Sequence, residues 1–168
     1  MTSNQVDHAE DWKHTLQRLL PLWGHRNWIV IADSAYPAQS NPGILTLATG
    51  ADHFLLLKTT IDAIDNSSHM RAKLYLDSEF KLVTEQDGPG STLYRQTLTR
   101  LIEDRGSQTL PHDAIIAKLD ESAKQFRVLI LKSTLTIPYA SVFIELECGY
   151  WTSEAEERLR ISESKRSR

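Results

Sequence analysis

Gly24-His25-Arg26-Asn27-Trp28-Ile29-Val30-Ile31-Ala32-Asp33 is the stretch that decides the fold class. Trp28 to Ala32 is a run of five apolar residues rich in β-branched side chains, too short for a buried helix and suited to a strand buried on both faces. Such a strand belongs to a sheet with helices packed on both sides. Asp33 ends the run. Ser34 to Gly43, with Pro37, Asn41, Pro42 and Gly43, is a loop by composition.

The apolar pattern on either side switches between helical and strand periods. Upstream, Trp12, Leu16, Leu19 and Leu20 share one face of a helix expected over Asp7–Leu20, ended by Pro21 and Gly24. Downstream, Ile44–Ala48 is a second short strand. Asp52 is placed to cap a helix over His53–Asn66 with Phe54, Leu57, Ile61 and Ile64 inward. Ala72–Leu76 is read as a strand, and Ser91 is expected to cap a helix to about Arg105. Gly106–Leu110 is a break. Pro111 opens another helix, with Ile115, Leu119 and Phe126 on its buried side. Val128–Leu131 and Ser141–Glu147 are the last strands, with Pro138 between them. The expected architecture is α/β: a three-layer α/β/α domain over residues 1–157 with a mixed sheet of about six strands.

The chain has 168 residues, enough for one domain to bury roughly 70% of its unfolded surface. Its formal charge of −3 hides two unlike parts. Residues 158–168 hold five Lys/Arg and one Glu; removing them leaves 14 of the 19 Lys/Arg and 21 of the 22 Asp/Glu, or −7. The body is thus not built to neutralise a phosphate backbone, and the basic end is expected to be a flexible, solvated tail. No nucleic acid and no membrane partner is expected, since no run approaches the ~20 apolar residues of a membrane span. Met1–Glu10 has neither a basic start nor an apolar run, and Cys148 is the one cysteine. A cytoplasmic location is the expectation.

Several chemistries find no support. There is no Gly-x-Gly-x-x-Gly after a strand, no Walker-type loop and no Gly-x-Ser-x-Gly elbow. The six histidines are scattered, without a His-x-x-x-His pair or cysteines to join them, so no metal site is expected. Polar residues at strand ends remain: Gly24-His25 before the first strand and Asp33 after it. In α/β sheets ligands gather at the carboxyl ends of strands, although an aspartate there can equally serve an Asx turn.

Two segments read together go further: Gly24 to Pro37, and Pro138-Tyr139-Ala140-Ser141-Val142-Phe143-Ile144. In order and spacing they resemble the ribose pyranase / fucose mutarotase family, sugar ring-form isomerases. Its members carry Gly-His, an apolar strand, Asp-Ala and a Pro, then Tyr-Ala/Gly-Asn before a last strand. Glu121–Phe126 is similar to the family's helix ahead of its penultimate strand. The resemblance implies that His25 is the proton donor and that Asp33 and Tyr139 bind the sugar. Ser141 stands where the family has Asn. The family's His or Arg at the start of the penultimate helix falls at Ile116 or Ala117; His112 is the first candidate to replace it and Lys118 the second. The implied activity is interconversion of anomers or ring forms of a neutral monosaccharide, without a cofactor, in a ring-like homo-oligomer. A non-catalytic carbohydrate-binding or regulatory homologue is the alternative.

The chemistry fits these residue types. Opening a hemiacetal needs a proton on the ring oxygen while another leaves the anomeric hydroxyl, and an imidazole with an ordinary pKa of ~6.5 serves either step. A carboxylate accepts hydrogen bonds from sugar hydroxyls, and a tyrosine offers a flat apolar face. His25 and Asp33 are eight residues apart, up to ~26 Å along an extended chain. Either the loop at Gly24 curls back, or the two residues serve one site from adjacent subunits.

Overall fold

The computed structural model describes residues 8–166. Asp7 and the last two residues of the basic end lie outside the described residues. In chain order the elements are α1 His8–Leu19, β1 Trp28–Ala32, β2 Ile44–Ala48, α2 His53–Asp65, β3 Met70–Asp77, α3 Ser91–Ile102, β4 Gln108–Leu110, α4 His112–Ala123, β5 Val128–Lys132, β6 Val142–Cys148 and α5 Ser153–Arg166. The strands form one mixed sheet in the order β2-β5-β1-β6-β3-β4. β1, β2 and β5 are parallel, as are β3 and β4, and β6 runs antiparallel between β1 and β3.

All five residues of β1 are buried, and their alternation divides the core. Ile29 and Ile31 face Trp12, Leu16, Leu57, Ile61 and Leu98 of α1, α2 and α3. Trp28, Val30 and Ala32 face Ile115 and Leu119 of α4. The result is the expected three-layer arrangement, with three helices on one face and α4 on the other.

The differences from expectation have local causes. Pro21 does not stop the chain's first helical segment; it sits in a 3-10 turn, Leu20–Leu22, where its missing N–H leaves no bond unmade. Ser91 is not the cap of α3. Gly90, at φ 89°, holds that position, and the Glu85 carboxylate accepts from the N–H groups of Gly90 (2.5 Å) and Thr92 (3.0 Å). Part of the expected break, Gln108–Leu110, is a short strand on the sheet edge, held by backbone pairing that its polar sequence does not announce. Phe126 lies beyond the end of α4, and Arg26 stacks over it at 5.5 Å.

Residues 158–166 of the basic end belong to α5, Ser153–Arg166. Glu154 and Glu156 occupy the first turn of α5 and Lys165 and Arg166 the last, which suits the helix dipole. Arg160 pairs with Glu156 four residues back at 2.8 Å. Among the described residues no helix is long and apolar enough to cross a membrane.

Candidate functional site

Strand order gathers the polar groups. Ile31 of β1 and Leu76 of β3 both pair with Val142, so the carboxyl ends of β1 and β3 flank the amino end of β6. Asp33 just beyond β1, Asp77 at the end of β3, and Tyr139–Ser141 leading into β6 therefore meet at one edge. Asp77 also pairs with Leu110 of β4, and His112 follows two residues later as the first residue of α4.

Asp33 and Ser141 are bonded to each other. The Ser141 hydroxyl donates to Asp33 Oδ1 at 3.1 Å and accepts from the Asp33 N–H at 3.2 Å. Asp33 Oδ2 accepts from Ala35 N–H at 3.3 Å, so the Asx turn and the site coexist in one carboxylate. Ser141 is buried, and its hydroxyl bonds Asp33. Both Asp33 oxygens retain a lone pair for a further donor.

Tyr139 is half-exposed and has φ 55°, a left-handed conformation rare for a bulky residue. The next carbonyl is pinned: Tyr94 Oη, reaching from α3 on the other face, donates to Ala140 O at 2.7 Å. The Tyr139 ring meets His112 edge-on, centroids 5.7 Å apart. His112 thus lies against Tyr139, one turn earlier than the family pattern places its residue. Its Nδ1 lies 3.0 Å from Asp77 Oδ1, and its backbone N–H lies 3.1 Å from both oxygens of Glu79.

Burial pushes the Asp77 carboxyl up to about 6; the neighbouring His112 opposes that shift, while Glu79 and Asp33 add to it. Hydrogen bonds from its own backbone N–H and that of His112 hold Glu79 below the usual carboxylate range. Tyr36 packs against Phe143 at 6.5 Å. Its hydroxyl is pushed up to about 12, first by burial and then by Asp120 and Asp77, so it remains a donor near neutral pH. Among the described residues no Lys or Arg bonds to Asp33, Asp77 or Glu79. The edge is acidic, unsuited to phosphates and suited to hydroxyl donors. Among the described residues no group of three or more His, Cys, Asp or Glu could hold a metal ion.

His25 is elsewhere. It precedes β1, at the opposite end from Asp33, and the loop at Gly24 does not curl back. The Asn27 side chain accepts from Gly24 N–H at 2.9 Å and ties the turn locally. His25 lines an open groove of about 640 Å³ with Arg71, Glu147, Tyr150 and Trp151, and no residue of the Asp33 cluster lines it. Sequence reasoning missed Tyr36, Asp77 and Glu79. Asp77 ends an apolar strand just as Asp33 does, but the expected strand stopped one residue short of it.

No family model matches the chain, and no curated protein does. Solved structures do. RbsD of Bacillus subtilis, complexed with D-ribose, aligns at 20% identity and TM-score 0.53, covering 79% of this chain and 91% of that one. The fold is the one the sequence resemblance implies. The fucose mutarotase of Streptococcus pneumoniae, in complex with L-fucose, aligns at 18% identity and TM-score 0.52, over 88% of this chain and 98% of that one. FucU from Bifidobacterium longum aligns at 20% identity and TM-score 0.51, over 79% and 92%.

Proposed function

We propose that this protein is a cofactor-independent, cytoplasmic sugar isomerase of the mutarotase or pyranase type, acting on a neutral monosaccharide. The observation that carries this reading is the meeting of Asp33, His112 and Tyr139 at one acidic sheet edge, in a fold shared with proteins solved with ribose and with fucose. Asp33 accepts a sugar hydroxyl, Tyr139 presents its ring face to the sugar's C–H groups, and His112 contributes a further polar contact.

His25 is the acid/base. Its imidazolium gives a proton to the ring oxygen as the bond from that oxygen to the anomeric carbon breaks. The anomeric hydroxyl passes its proton to a solvent water as the carbonyl forms. Rotation and reclosure, with the proton movements reversed, yield the other anomer or ring form. One chain holds His25 and Asp33 at opposite ends of β1, so the working site takes His25 from one copy and Asp33, His112 and Tyr139 from its neighbour in a homo-oligomer.

Saturation-transfer NMR across a panel of neutral monosaccharides tests this. The expected result is accelerated exchange between ring forms of at least one sugar, abolished in His25→Ala while binding persists. Binding without exchange in both proteins would establish the non-catalytic carbohydrate-binding alternative. No binding to any sugar would overturn both.

A further inference from the structure

Asp77 has no task in the sugar reading and is the most deeply buried carboxylate of this cluster. It is 1% exposed, and its Oδ2 is buried with no hydrogen-bond partner. A buried carboxylate with one oxygen unpaired is costly, and such groups are retained where they act on a neighbour. The neighbour is the His112 ring, a third exposed, wedged edge-on between Tyr139 at 5.7 Å and Phe143 at 6.4 Å.

We propose that Asp77 is a positioning residue: its ionised carboxylate accepts the Nδ1–H of His112 and thereby fixes the tautomer that leaves Nε2 a bare acceptor for a sugar hydroxyl. An ionised carboxylate only accepts, so a proton on Nδ1 is required by the 3.0 Å contact. A neutral imidazole has one N–H, and Nε2 is then bare. The Glu79 carboxylate on the backbone N–H of His112 locks the start of α4 and keeps the ring over Asp77. The other ionisable groups around the pair are Asp33 across β6, Tyr36 behind it and Tyr139 in front. With Asp77 held near 6, the arrangement operates above that pH. The tautomer rests on the 3.0 Å contact with an ionised carboxylate, whereas the sugar hydroxyl as its partner rests on the proposed function.

The test uses the full chain with 15N-labelled histidine. At pH 7.5 the expected spectrum shows His112 with Nδ1 protonated and Nε2 bare. Asp77→Leu should shift it toward the Nε2–H form and slow ring-form exchange about tenfold, the scale of one lost oriented hydrogen bond. In a His112→Ala background the same change should have no further effect on exchange. An Nε2–H tautomer in the wild-type protein at pH 7.5 would overturn the proposal even if Asp77→Leu does not fold. So would an equal loss on Asp77→Leu with or without His112. Absence of exchange in the wild-type protein would instead remove the sugar reading and leave the tautomer to the nitrogen shifts.

Discussion

His25 and Asp33 stand at opposite ends of β1, five buried residues locked between β5 and β6. No rotamer change closes that separation, because the strand is paired on both sides along its length. Chemistry that needs both residues needs two chains. Mixing His25→Ala with Asp33→Asn protein under conditions that exchange subunits should restore ring-form exchange that neither variant shows alone. Mixtures as inactive as their components, despite proven subunit exchange, would sink the shared site.

The Asp77 carboxyl also affects stability. Its folded value of about 6 lies above the ordinary 3.8, so folding favours the protonated form. That stabilisation is complete below pH 3.8 and is lost as pH rises through 6. Asp77→Asn removes the charge and should be more stable than wild type at pH 8 by about 1–3 kcal/mol, with the gain gone at pH 3.5. Urea denaturation at the two pH values checks this; an equal difference at both would contradict it.

His53 works in the opposite direction. It is buried, and burial pushes its ring from 6.5 down to about 4. The Ser133 hydroxyl donates to Ala32 O at 2.8 Å and accepts from His53 Nδ1–H at 2.9 Å, which leaves Nε2 bare and buried without a partner. Folding favours the neutral ring, so its contribution is full above pH 6.5 and is lost as pH falls through 4. Wild type should lose about 3 kcal/mol between pH 7 and pH 4 that His53→Phe retains. Parallel pH profiles for the two proteins would refute it.

Tyr94→Phe deletes the hydroxyl that donates to Ala140 O, a carbonyl in a residue 1% exposed. The cost should be about 1–3 kcal/mol, the penalty for an unpaired buried acceptor. The Tyr139 turn should loosen with it, so sugar affinity should fall although Tyr94 is itself buried. Unchanged affinity in a protein destabilised to this extent would show that the turn holds itself.

Much of the fold was legible because burial imprints local periods. Trp28–Ala32 and Val128–Leu131 could only be covered strands, and Asp52 caps α2 as its position suggests, accepting from the N–H groups of Phe54 and Leu55. What escaped was set by partners distant in sequence. β4 is a strand because β3 lies beside it. The cap of α3 comes from Glu85 through a left-handed glycine. α5 is helical through charges placed along it, with no apolar face to reveal it.

The same division runs through the site. Strand ends pointed to His25 and Asp33, and the resemblance to the ribose pyranase / fucose mutarotase family added Tyr139, Ser141 and, less directly, His112. Only the tertiary structure decided how they are grouped. Hydrogen-bonded registers across β1, β6 and β3 bring Asp33, Asp77, Tyr139 and His112 to one edge, and the rigidity of β1 sends His25 to the other. Spacing along a chain limits how far apart two residues can lie. Which residues meet is settled by strand order and direction, and those depend on pairings between segments distant in sequence, such as Ile31 and Leu76 with Val142.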